Sequence, residues 1–167
     1  MLRQLLSGSL LVLVGIGGRL VPHPPNFTPV DAIALYSGAW MPSIWVGMAL
    51  PVAIMAVSDL LIGWHSLWIY TWGAMMMGAV LGYYWLRTDR ILSVIALPVL
   101  QSTVFFIVTN FGVWLNGYYG YTLSGLWECY VAAIPFYHYQ VLGAIVYSFL
   151  FWVVEYAFFR RFALMVR

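Results

Sequence analysis

The chain has no lysine and very little charge of any kind: 7% of its 167 residues are Asp, Glu, Lys or Arg, against about 25% in soluble domains, while 64% are hydrophobic. That balance excludes the polar surface of a water-soluble fold. Its seven cations, all arginines, face five acids for a net charge of +2, so there is no basic field for nucleic acid. The single cysteine, Cys129, excludes an internal disulfide and any multi-cysteine metal cluster. There is no G-x-S-x-G, H-E-x-x-H, Walker loop or CxxC, and no enzyme is expected; Ser58, Asp59 and His65 carry triad chemistry only if something positions them. His23, His65 and His138 fall on three separate segments, so neither a joint metal site nor a cofactor is expected.

What is present is hydrophobic length. A spanning helix needs roughly 20 apolar residues, with about 17 as a lower limit. Clear spans run from Gln4 to Leu20, Ser66 to Leu86, Ile91 to Thr109 and Tyr139 to Phe159. As one helix, Thr28 to Gly63 would measure ~54 Å against a ~30 Å hydrocarbon core, so it must turn, and Trp40-Met41-Pro42-Ser43 is the best breaker. The expectation is an all-α polytopic membrane protein, one transmembrane domain over residues 1–167 with six helices, the second short. The start, Met-Leu-Arg and an apolar run, lacks an A-x-A-like cleavage site and reads as a retained first helix.

Arginine placement orients this bundle. Loops on the cytoplasmic side are enriched in Lys and Arg, and here Arg3, the pair Arg87 and Arg90, and the group Arg160, Arg161 and Arg167 fall on one side only if even numbers of crossings separate them. Six crossings satisfy this, with both termini cytoplasmic in a bacterial inner membrane. Outward segments then hold or border Arg19, His23, Asn26, Asp31, Asp59, His65, Asn110, Asn116, Glu128 and His138. The 28 residues from Asn110 to Tyr137 are too long for a plain connector and read as a loop with a short interfacial helix over 125–134.

A solute site is therefore expected at the outward end. Charge at membrane depth is costly and is paired or functional, which singles out Arg19, with Asp31, Asp59 or Glu128 as its partner. In the opening polar stretch "RLVPHPPNFTPVDAIALYSGA", Pro22, Pro24, Pro25 and Pro29 bar a helix before Pro29 and suggest an ordered plug over a cavity, with Asn26 bridging to Asn110 or to the solute. Trp114, Tyr118, Tyr119, Tyr121 and Trp127 crowd one loop and would suit a planar ligand. The candidate binding set is Arg19, His23, Asn26, Asp59, His65, Asn110, Trp114, Asn116, Tyr118, Trp127 and Glu128. Ala74, Gly78 and Gly82 repeat at four-residue spacing, which permits close helix approach within the chain or against a partner. Glu155, a turn before Arg160, is expected to pair with an arginine such as Arg87.

At "PHPPNFTPVDAIALYSGA", "MAVSDLLIG", "FFIVTNFGVW" and "GLWECYVAAIPF" the chain resembles a family of small bacterial membrane proteins assigned to transport. It is similar through that family to the substrate-binding S components of energy-coupling factor transporters. The resemblance implies six helices, cytoplasmic termini, capture of a vitamin-like or cofactor-precursor solute such as a corrinoid at the outer face, and an ATPase energising module as partner. The small-xxx-small spacing through which such components dock their membrane partner is absent from residues 4 to 20. The alternative expectation is an accessory subunit of a larger membrane complex, packed through the Ala74, Gly78, Gly82 face.

Overall fold

The computed structural model describes residues 2–86 and 91–160. It is all-helical over those residues: α1 (Leu2–Leu20), α2 (Val30–Trp40), α3 (Ile44–Ile62), α4 (Trp68–Leu81) with a π-helical turn over Gly82–Leu86, α5 (Ile91–Leu115) and α6 (Leu123–Val154) with a π-helical turn over Glu155–Arg160. The expected break is present. Helix α2 stops at Trp40, and Ser43 caps α3 by accepting a hydrogen bond from the Val46 amide at 3.3 Å. Helices Ile44–Ile62, Ser93–Leu115 and Leu123–Ala157 are long and apolar enough to cross a membrane, and Gln4–Leu20 is a shorter apolar helix.

The short helix is the hub of the bundle. Residues Asp31 to Gly38 and Trp40 are buried, and α2 touches each of the other five helices. Small residues make this possible. A Cβ on Gly38 would collide with the Ala79 carbonyl, and one on Gly82 with the Leu35 carbonyl; at Gly78 it would lie 2.8 Å from the Ala34 Cβ. The Ala74, Gly78, Gly82 face is thus filled from inside the chain by α2, with Gln101 of α5 beside it. Around these backbone approaches Leu35, Ile33, Tyr36 and Trp40 form the main core with Leu11, Ile54 and Phe151. The hydroxyls inside it reach carbonyls on other helices: Tyr36 donates to Ser148 at 2.8 Å and Ser37 to Gly47 at 2.8 Å.

One expectation is overturned. The segment from Asn110 to Tyr137 is not a loop with a separate interfacial helix, because α5 continues to Leu115, seven residues turn the chain, and α6 begins at Leu123. Thr122 caps that start by accepting from the Gly125 amide at 3.0 Å. Pro135 removes a helix donor, yet α6 runs through it. Contacts to α5 on both sides hold it there: the Tyr130 hydroxyl donates to the Ile107 carbonyl at 2.7 Å, and the Tyr137 hydroxyl lies 2.7 Å from Thr103 Oγ1. Glu155 accepts from Trp40 Nε1 at 3.1 Å. Its expected partner Arg87, like the side chains of Arg3, Arg90, Arg160, Arg161 and Arg167, lies outside the described residues.

Backbone contact at Gly82 leaves no room for a methyl group. Gly82→Ala should cost about 1–3 kcal/mol through forced displacement of α2, read as an earlier thermal unfolding transition in detergent. Gly73→Ala, where an added Cβ meets nothing within 4 Å, should leave the transition in place.

Candidate functional site

The last turn of α1 and the last turn of α3 meet at one end of the bundle, and helix electrostatics treats their charges oppositely. A cation is stabilised at a helix C-terminus and an anion is not. Arg19 therefore suits its position, whereas Asp59, 1% exposed and three residues before the end of α3, requires a counter-charge. It finds one: Arg19 Nη2 lies 2.7 Å from Asp59 Oδ1. The other carboxylate oxygen accepts from Trp72 Nε1 at 3.0 Å and faces His65 Nε2 at 3.4 Å. Arg19 also donates through Nη1 to Ser58 Oγ and to the Met55 carbonyl. Of the partners weighed for Arg19, the structure selects Asp59.

The two histidines at this end have assignable tautomers. His65 Nδ1 accepts from the Leu67 amide at 3.2 Å, which leaves its hydrogen on Nε2, toward Asp59. His23 Nδ1 lies 2.8 Å from the Pro24 carbonyl, an acceptor only, so that nitrogen carries the hydrogen and Nε2 is free to accept.

The proline-rich connection folds back over this group. Its amides bond locally, Val21 to the Gly17 carbonyl at 3.0 Å, Phe27 to Pro24 at 3.0 Å and Thr28 to Asn26 at 2.9 Å. Asn26 takes the left-handed conformation at φ 62, a region that Asn tolerates better than most residues. Val21 to Asn26 are exposed, but Pro29 is fully buried, and Phe27 and Thr28 pack on Gly143 of α6, whose missing side chain leaves their backbone about 3.2–3.3 Å from the Cβ position.

Beneath lies a cavity of ≈ 300 Å³ with Arg19, His23, Asn26, Thr28, His65 and Thr71 around an apolar floor of Val30, Met55, Ile62 and Phe105. Asp59 stands behind this lining. The lining carries one guanidinium with its fixed counter-anion behind it, so the charge nearest the cavity is positive, which suits a solute that carries acceptors, such as a carboxylate. Among the described residues no three His, Cys, Asp or Glu side chains are placed to hold a metal ion.

Five expected site residues, Arg19, His23, Asn26, Asp59 and His65, are brought together here; the other six do not line the cavity. Asn110 does not bridge to Asn26, because its amide donates to the Phe106 carbonyl of its own helix at 2.8 Å. Asn116 donates to Ser66 Oγ at 3.0 Å. Trp114 packs between Phe111 and Tyr121, while Tyr118, Trp127 and Glu128 are exposed.

Sequence reasoning missed a second polar group. Asp31 in the first turn of α2 was expected at most as a partner for Arg19; it is 2% exposed and accepts from Gln140 Nε2 at 2.8 Å, Ser102 Oγ at 3.1 Å and Gln101 Nε2 at 3.3 Å. The signal was available: Gln101, Ser102 and Gln140 are polar side chains inside long apolar helices, where such groups face the bundle interior.

The fold is thus an all-α bundle with helices of membrane-crossing length and a polar cavity at one end. The chain belongs to a family of unknown function, DUF6580, whose model matches residues 2–165. No curated protein and no solved structure matches it.

The ion pair is expected to stabilise the cavity end. Asp59→Asn leaves the Arg19 charge without compensation and should cost about 3 kcal/mol, the low end for a broken buried pair because Arg19 keeps some solvent contact. The double variant Arg19→Met, Asp59→Leu should recover most of that loss in the same thermal unfolding assay.

Proposed function

We propose that the chain is a membrane solute-binding protein that captures a small, acceptor-rich molecule in the Arg19 cavity and takes part in its import. The observation that carries this reading is the cavity lining itself, six polar residues over an apolar floor, roofed by a connection whose backbone is internally bonded. Ligand sites have that character, mostly apolar with a few convergent polar groups, and begin at about 300 Å³. A cavity at that lower limit favours a compact vitamin-like acid over a macrocycle such as a corrinoid. The resemblance to S components supports the same assignment, with capture beneath a loop at the outer face and an energising module as partner. Arginine distribution supports placing the cavity end outside a bacterial inner membrane with both termini cytoplasmic. The accessory-subunit alternative loses its main support, since α2 fills the small-residue face that was to receive a partner.

Purified protein should release a small molecule on denaturation, detected by mass spectrometry. Asn26→Gly keeps the left-handed backbone and deletes only the amide; retention of that molecule should weaken by about 0.5–1.5 kcal/mol, the net worth of one hydrogen bond at an exposed residue. Stoichiometric protein partners with no small molecule would instead establish the accessory role. Topology has its own test. In a Cys129→Ser background, single cysteines at His23 and Asn116 should react with an impermeant thiol reagent on intact cells, and one at Thr88 should not.

A further inference from the structure

The Asp31 group has no part in the cavity lining and poses a separate problem. A buried carboxylate is strongly unfavourable as an isolated charge, and all three partners of Asp31 are neutral: Gln101 and Ser102 from α5 and Gln140 from α6. Around it α4 contributes Ala74, whose carbonyl shares the Gln101 amide at 3.1 Å, and Gly78. None of these groups titrates, and the contacts of Asp59 with Arg19 and His65 are made elsewhere, without Asp31. A second irregularity touches the same pair of residues: Gln101 is completely buried, and its Oε1 has no hydrogen-bond partner.

We propose that Asp31 is a reversible proton-binding site at the centre of the bundle. The donor set serves both forms of the acid. In the ionised form the carboxylate accepts three hydrogen bonds. On uptake of a proton from water an O–H bond forms at Oδ2, and the contact to Ser102 reverses, because a serine hydroxyl accepts as readily as it donates. The serine hydrogen then turns to a carbonyl one turn back in α5, the contact that Thr103 already makes with Val99 at 2.7 Å and Thr109 with Phe105 at 2.8 Å. Gln101 keeps Oδ1 and the Ala74 carbonyl as acceptors for its amide, whereas Gln140, which donates to Oδ2, gives up its hydrogen bond when that oxygen takes the proton. A metal cation fits less well, since two of the three groups on the carboxylate are amide N–H donors that would have to turn away. The position also links the proton to the proposed solute site. Asp31 follows Val30, which lines the cavity, and Gln140 is one turn from Gly143, on which Phe27 and Thr28 of the roof are packed. Only that linkage rests on the solute-binding reading; proton binding does not.

The test needs no solute. Infrared spectra of the protein in lipid nanodiscs, taken from neutral to acid pH, should show a protonated-carboxyl C=O band that is absent in Asp31→Asn. Gln140→Leu removes a donor from the ionised form only, so the band should then appear at a higher pH than in the unaltered protein. That shift keeps the test decisive if Asp31→Asn does not fold. A band unchanged by both substitutions, or an Asp31 that stays ionised throughout, would overturn the proposal and make the group a fixed tie between α2, α5 and α6. A sodium-dependent change in the spectrum at constant pH would overturn it in favour of a cation.

Discussion

Everything in this fold depends on enclosing an eleven-residue helix, α2, within a bundle whose other helices expose mainly apolar side chains. At about 1.5 Å per residue such a helix cannot cross a bilayer, so its ends and polar side chains must be satisfied by protein. Its sequence meets the requirement in two ways. Gly38, Ala34 and Ser37 let the backbones of α3 and α4 come close, and Asp31, Tyr36 and Ser37 each send a hydrogen bond, or accept one, across to α3, α5 or α6. Loss of any tie leaves a buried polar group unsatisfied, which costs more than the bond contributes when made.

Charge follows the same logic at two depths. Asp59 sits where the α3 dipole disfavours an anion, and Arg19 sits where the α1 dipole favours a cation, so their contact corrects one helix end with another and brings α1, α3 and α4 to a common point. That correction leaves the guanidinium facing a cavity and the carboxylate behind it. Asp31 is handled differently, with neutral donors and its place in the first turn of α2, where the helix dipole favours an anion. One carboxylate is thus matched by a fixed charge and the other by groups that can rearrange. This difference underlies the two proposed roles, a wall of a solute site for the first and a proton-binding group for the second.

The polar connection between α1 and α2 joins the two. Its prolines limit the conformations available before folding, and Asn26 supplies the left-handed turn that returns the chain to Pro29. Phe27 and Thr28 rest on α6 while His23, Asn26 and Thr28 reach the cavity, so movement of this roof would be felt by the helix that carries Gln140.

Composition and run length alone determined the all-helical class, the number of helices and the turn at Trp40 to Ser43, because each depends on local properties: apolar length, missing donors at proline, the cost of charge in hydrocarbon. Arg19 was legible as exceptional for the same reason. The choice of Asp59 over Asp31 or Glu128 as its partner was not, since pairing across 40 residues is set by how α1 and α3 pack. Nor was the continuity of α6 through Pro135, where contacts from Tyr130 and Tyr137 to α5 outweigh a local breaker. The aromatic residues near Trp114 read as a ligand platform by their density, yet density along the chain says nothing of which way side chains face. Tertiary structure alone decided that α2 lies at the centre and that Asp31 meets Gln101, Ser102 and Gln140, because burial on every side of a short helix comes from neighbours distant in sequence.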